Sequence, residues 1–291
     1  MSATSLASSL VGKRGRTRLR GFSSSLRLTG RISVGILIVV VLMAAIGPLI
    51  VRTDPNALNL AQAFGAPSVE HPLGQDANGR DLLARLVVGS RTALLGPLLV
   101  VVLSTIIGTV LALVAAWRGG AVDTLFARVI DAIFAFPGLL LAILVTALFG
   151  PGLTAAVAAL SVAYTPYMAR IVRSGAIRER HLPYVDALRV QGISPFAICT
   201  KHIVPNIGTL IVANATLSFG MALIDLAGLS FIGLGVQAPT ADWGAMVGSG
   251  LPGIMQRYPQ EAFYASLLIV ATVFAANQFG GILQDRAEGR R

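Results

Sequence analysis

Apolar and polar residues in this chain come in long blocks. Six apolar blocks contain no charged residue: Ile32 to Val51, Thr92 to Trp117, Ala132 to Phe149, Gly152 to Met168, Ile207 to Ile224 and Ala262 to Phe279. A hydrocarbon core about 30 Å thick is crossed by roughly 20 residues rising 1.5 Å each, so each block is read as a membrane-crossing helix. Only Gly150 and Pro151 separate the third block from the fourth. Proline ends a helix, so these two are expected to form a tight hairpin rather than one long rod. The fold class that follows is an all-α polytopic membrane protein with six transmembrane helices. Composition agrees, with 55% of the 291 residues apolar and 12% charged.

The polar segments between the blocks set the organisation. A basic N-terminal tail covers 1–31, the first span 32–51 and an outer segment 52–91. A five-helix core, 92–283, contains a basic segment at 170–205 and a second outer segment at 227–261, and a tail closes the chain at 284–291. With the N-terminus inside, eighteen Lys/Arg side chains fall on the inner side, and five (Arg52, Arg80, Arg85, Arg91 and Arg257) fall outside. Excess positive charge marks the cytoplasmic side, so both termini are expected in the cytoplasm. The Ser/Arg-rich tail resembles the start of a signal peptide. The 20-residue run behind it lacks a small-x-small cleavage pattern and is read as an uncleaved anchor, with the tail lying near anionic lipid headgroups.

Within the outer segments, Pro55, Pro67, Pro72, Gly65, Gly74 and Gly79 predict mostly irregular chain, with a helix over Asp81 to Val88. Gly228 to Val236 is too short to span and is expected to be re-entrant or interfacial. Trp243 and Tyr258 suit the aromatic belt at the membrane surface.

Candidate chemistry is sparse. The net charge of +10 is distributed at the ends of apolar runs instead of on one face, which argues against nucleic acid. The single cysteine, Cys199, forms no intramolecular disulfide and is expected to be a small buried side chain. Neither Lys13 nor Lys201 sits in a phosphate-binding G-x-x-x-x-G-K-[ST] loop, and His71, His181 and His202 are too dispersed for a metal. Asp131 is expected to pair with Arg128 on one helix face. Asp225 closes the fifth span, and Asn214, Asn277 and Gln278 suit packing between helices. No nucleophile and base, or pair of acids, falls at one depth, so an intramembrane enzyme is disfavoured. An ATP-independent secondary carrier or channel also fits poorly without an ion-binding carboxylate inside a span.

The segment Arg170 to Pro205 holds six Lys/Arg against two acids. Pro183 suits a first helical turn, Tyr184 to Val190 continues it, and Gly192, Ser194 and Pro195 end it. A second short helix is expected over Phe196 to Ile203, leading to Pro205 and Asn206. Two short helices at an angle on the inner membrane face would form a rigid protrusion able to transmit a push.

This stretch resembles the EAA loop of permease subunits in ABC importers, whose pattern is E-A-A, three residues, Gly, nine residues and I-x-L-P. Asp186 stands for the acid, Ala187 for the first alanine, Gly192 for the glycine and Val204-Pro205 for Leu-Pro. Leu188 and His202 depart from the pattern. Three further stretches resemble the C-type permease of dipeptide, oligopeptide and nickel importers. They are His71 to Asp81 (HPLGQDANGRD, with Asp76, Gly79 and Arg80 inside it), Gly228 to Gly244 (with Gly233, Gly235 and Trp243), and Lys201 to Asn206. The likeness runs from about Ile32 to Phe279 and weakens at Gly280 to Asp285.

What the resemblance implies is a type I importer permease (MetI-like) fold in the inner membrane of a bacterium. The chain would form half of a translocation pathway for short peptides, with a nickel chelate or glutathione as alternative cargo. Expected partners are a second, homologous permease, two cytoplasmic ATPase subunits or domains that hold ATP and Mg, and an extracytoplasmic substrate-binding protein. No cofactor or catalytic residue is expected on this chain. Tyr184, Asp186, Ala187, Arg189, Gly192, His202 and Pro205 would couple it to the ATPases. His71, Asp76, Gly79, Arg80, Asp81, Gly228, Gly233, Gly235 and Trp243 would mark the outer motifs, with no side chain assigned to substrate or metal.

Overall fold

The structure is a computed structural model that describes residues 28–51 and 53–287; most of the basic N-terminal tail and the last four residues lie outside it. The described residues are helical, without a strand beyond one isolated bridge between Gln75 and Asp81. Five helices are long and apolar enough to cross a membrane: α1 (Leu28–Ile50), α2 (Leu82–Arg118), α5 (Leu153–Arg180), α9 (Gly208–Phe231) and α12 (Gln260–Ala287). A bent pair, α3 (Gly120–Phe134) and α4 (Gly138–Phe149), is together long and apolar enough for a sixth. Shorter helices complete the fold: α6 (Pro183–Val190), α7 (Pro195–Ile198), α8 (Val204–Asn206), α10 (Trp243–Ser249) and α11 (Leu251–Met255).

The helices depart from the apolar blocks where charge is neutralised inside the fold. The second helix begins at Leu82, not Thr92, because the Asp81 carboxylate accepts the Ala84 N–H at 2.6 Å and caps its first turn. Arg85 and Arg91 therefore belong to α2 instead of a connecting segment. At 37 residues, α2 is about 55 Å long and extends well past a hydrocarbon core. Likewise α5 continues to Arg180, so Arg170 to Arg180 is helix and the inner connection starts at His181.

The third span is broken rather than continuous. Pro137 has no N–H to donate and its ring obstructs the preceding turn, and α3 and α4 meet there at 77°. The α3 acids face α5: Asp123 takes both nitrogens of the Arg173 fork, and Asp131 pairs with Arg170 at 2.9 Å. Asp131 thus finds its cation on the neighbouring helix instead of at Arg128. Arg170 also lies 4.6 Å over the Phe134 ring.

Three clusters make the core. Val100, Leu160 and Leu229 pack mid-bundle where α2, α4, α5 and α9 meet. At one end Leu82, Leu86, Trp243 and Met246 lie under the segments 53–81 and 232–259, and at the other Val172, Val185 and Ile198 lie under α6 and α7. Small residues permit close approach of α2 and α5: a Cβ on Gly108 would meet the Ala169 nitrogen at 2.9 Å. Asn277 packs its side-chain amide against Gly220 between α12 and α9.

Candidate functional site

The ledge formed by α6, α7 and α8 is built from local signals. Pro183 opens α6 with its fixed φ, and Asp186 lies in the first turn where the helix dipole favours an acid. Gly192, at φ +78°, closes it: its N–H donates to the Arg189 carbonyl at 2.9 Å and the Ile193 N–H to the Leu188 carbonyl at 3.1 Å. This pair of bonds is a Schellman motif, which puts the residue after the C-cap in the left-handed region. A Cβ on Gly192 would meet nothing within 4 Å, so conformation alone demands glycine. Gly192→Asn is therefore expected to melt near the parent, and Gly192→Val lower by an amount equivalent to about 1–2 kcal/mol, by thermal unfolding in detergent. Equal melting of the two would contradict this.

Ser194 then caps α7, accepting the Ala197 N–H at 3.3 Å. From Cys199 to Ile203 the helix widens into a π turn, with the Val204 N–H bonding the Cys199 carbonyl. Pro205 follows, and a widened turn relieves the clash its ring would cause with the carbonyl four residues earlier. The expected second short helix is thus present in outline, with a π register in its middle.

The inner face of the ledge is anchored. Val185, Ile198, Ile203 and Ile207 are buried against Ala112, Ala116, Met168, Val172 and Ala176 of α2 and α5. Arg180 donates to the Ala116 carbonyl, and Arg180 and Arg189 lie 5.6 and 4.7 Å from the Trp117 ring. Tyr184 also points into the fold. Its hydroxyl donates to Glu179 at 2.9 Å, and Asn206 donates to the same carboxylate at 2.7 Å. Burial, together with the Glu179 carboxylate on its hydroxyl, pushes Tyr184 above the ordinary phenol range. Burial likewise raises the Cys199 thiol, against the pull of Arg180 and Arg189.

The outer face is open. Asp186 pairs with Arg189 at 3.2 Å on the surface, Ala187, Gly192 and Pro205 are exposed, and His202 is half-buried. Two large apolar side chains absent from the sequence-based set stand out here: Val190 is 90% exposed and Phe196 78%. Helical spacing carried a signal for the first, since Asp186 and Val190 fall four apart on one exposed face of α6, turned about 100–140° round the helix from the buried Val185. Nothing local marked Phe196.

At the other end of the bundle the motif residues hold the chain together. His71 Nδ1 lies 2.7 Å from one oxygen of Asp81, whose other oxygen caps α2. Asp76 accepts the backbone N–H groups of Asn78 and Arg80, closing a turn that needs Gly79 at φ +71°. A Cβ on Gly79 would stand 1.9 Å from the Asn59 carbonyl. Arg80 is half-buried, and Arg85 runs deep behind it, 3.8 Å from Asp76 and bonded to the Pro55 carbonyl at 3.2 Å. Gly233 ends α9 in a second Schellman motif, and Gly235 lies against Ser230 too closely for a side chain. The expected re-entrant stretch is therefore the last turn of α9 and its cap. A side chain on Gly228 would meet nothing. Trp243 is not in an interfacial belt: it is fully buried, and its indole N–H donates to the Leu86 carbonyl at 2.9 Å. Asp242, which caps α10, is shifted upward by its burial. Tyr258 is 43% exposed and stacks on Phe64 at 4.7 Å.

The chain is thus a membrane bundle with a stapled ledge at one end and a folded cap at the other. The family model for the binding-protein-dependent transport system inner membrane component matches residues 104–291, and the chain belongs to that family. It is a permease component of such a system. Among its relatives, a peptide transport system permease protein of Brucella suis is 39% identical over 268 residues, covering 91% of this chain and 88% of that protein. The dipeptide transport system permease DppC of Bacillus subtilis is 35% identical over 250 residues (86% and 78%). The oligopeptide transport system permease OppC of the same organism is 35% identical over 267 residues (92% and 86%).

Proposed function

We propose that this chain is a non-catalytic transmembrane subunit of an ATP-driven importer of short peptides, forming half of the translocation pathway. The observation that carries the reading is the two-faced ledge, stapled to α2 and α5 on one side and open on the other at Asp186, Val190 and Phe196. A surface so fixed moves with the two helices, so force applied to it rotates them instead of being absorbed. The ATP and Mg that supply the force belong on two cytoplasmic ATPase subunits or domains gripping this ledge. A second, homologous permease completes the pathway, and an extracytoplasmic binding protein meets the cap. The eighteen-to-five charge asymmetry supports cytoplasmic termini in a bacterial inner membrane. The relatives' names support peptide cargo.

The test is made on the assembled transporter in proteoliposomes. Asp186→Lys removes the surface pair with Arg189 and puts a cation at a positive helix end, where it is disfavoured. Stimulation of ATP hydrolysis by the loaded binding protein is expected to collapse while all subunits still co-purify. Undiminished stimulation would overturn the role of the ledge, and peptide uptake by this chain without ATPases would overturn the class.

A further inference from the structure

The faces that α2 and α12 leave exposed are apolar: Leu95, Leu99, Val102 and Ile106 on one, Phe263, Leu267, Val270 and Phe274 on the other. These stripes suit lipid. The groove between α5 and α9 differs. A cavity of about 300 Å³ opens there, lined by Ala163, Tyr164, Tyr167, Leu217, Ser218 and Met221. Tyr164 donates its hydroxyl to Asp225 at 2.8 Å, and Tyr167 its own to the Asn214 oxygen at 3.3 Å. From Asn214 to Asp225 the polar strip runs about 16 Å along α9. That is the extended length of four to five residues.

The acid expected to close the fifth span lies inside it, because α9 runs on to Phe231; Asp225 is half-buried there, and among the described residues no cation lies within salt-bridge distance of it. A carboxylate, two phenols and an amide inside membrane-crossing helices are expensive against hydrocarbon and belong beside water or a partner helix. We propose that this groove is a wetted wall of the translocation path and that Asp225, held by Tyr164, attracts the protonated amino group of a passing peptide. The proposal rests on the peptide-permease reading above and adds to it a face and a residue. Two sites contribute: an acid toward the outer end of α9, and the Tyr167 hydroxyl, which lines the cavity beside Ser218, is held from behind by the buried Asn214, and can exchange hydrogen bonds with a peptide backbone whatever its side chains.

An electrostatic test separates this role from a simple lock between helices. In the full transporter, Cys199→Ala removes the native thiol, and Met221→Cys places a reporter one turn from Asp225, within about 6 Å. Water-soluble methanethiosulfonates of equal size but opposite charge are applied at mildly alkaline pH. Normalised to a small free thiol, whose own thiolate already favours a cation, the cationic reagent is expected to gain about tenfold over the anionic one, and Asp225→Asn to remove that gain while Asp225→Glu keeps it. Val270→Cys, on the apolar face of α12, is expected to react with neither. A preference unmoved by Asp225→Asn would overturn the cation site, and a Met221→Cys as inert as Val270→Cys would overturn the wetted wall. Stimulation of ATP hydrolysis by the loaded binding protein, measured on the same preparations, reports separately on the importer reading.

Discussion

Val190→Asp is expected to abolish productive contact between the ledge and its ATPase partner. Val190 is 90% exposed at the end of α6, so the isolated chain loses no packing when it is replaced. Any destabilisation of the fold should stay within about 0.5 kcal/mol, as for surface changes generally. In the assembly the same position would be covered. An unpaired carboxylate there is penalised by several kcal/mol, because few partners remain once water is excluded. Phe196→Ala should act in the same direction more mildly, since a buried aromatic anchor contributes about 2 kcal/mol or more to an interface. Two measurements check this. Retention of the ATPases on the purified permease is expected to fall at least about thirtyfold in apparent affinity for Val190→Asp, and its thermal unfolding midpoint is expected to match the parent. If Val190→Asp binds the ATPases as the parent does, the open patch is not the docking face.

These two residues also mark a limit of reading the sequence. Pro183, Gly192, Ser194 and Pro195 spell out the turns of the ledge, because each acts on its own backbone within a few residues. Exposure is a different property: Val190 and Phe196 are apolar and fit a core by composition, and only their place relative to Val185 and Ile198 turns them outward. The same contrast explains the helix limits. Hydropathy stops the fourth span at Met168, yet α5 continues to Arg180 because its arginines meet acids and rings that lie 36 to 63 positions earlier in the chain, Asp123, Asp131, Phe134 and Trp117. Backbone bonding does not require an apolar side chain, so a helix paired in this way ignores the membrane boundary. The break at Pro137 was visible as a residue, but the apolar run Ala132 to Phe149 hid it.

Trp243 is the sharpest instance, and it carries the largest stability effect expected in this chain. A tryptophan beside a membrane segment suits the interfacial belt by type, but the backbone around this one leaves no room at the surface. A Cβ on Gly89 would already lie 3.1 Å from the Asp242 nitrogen, Thr92 donates to the Ala241 carbonyl at 2.9 Å, and Gly244 abuts the Ala227 carbonyl. The indole is thereby drawn between Leu86 and Met246, where it is completely buried and spends its N–H on Leu86. Trp243→Ala should lower stability by about 3–5 kcal/mol, from lost burial plus a cavity that this close backbone seam cannot collapse to fill. Trp243→Phe keeps most of the volume and forfeits the hydrogen bond, for about 1 kcal/mol. The expected order of unfolding midpoints in detergent is parent, Trp243→Phe, then Trp243→Ala well below both. The seam joins the outer segments to α2, so its loss should also expose 53–81 and 232–259 to protease before the bundle opens. A Trp243→Ala variant as stable as Trp243→Phe would mean that the cap is held by the His71–Asp81 and Asp76–Arg85 contacts alone, and that the tryptophan merely occupies space between them.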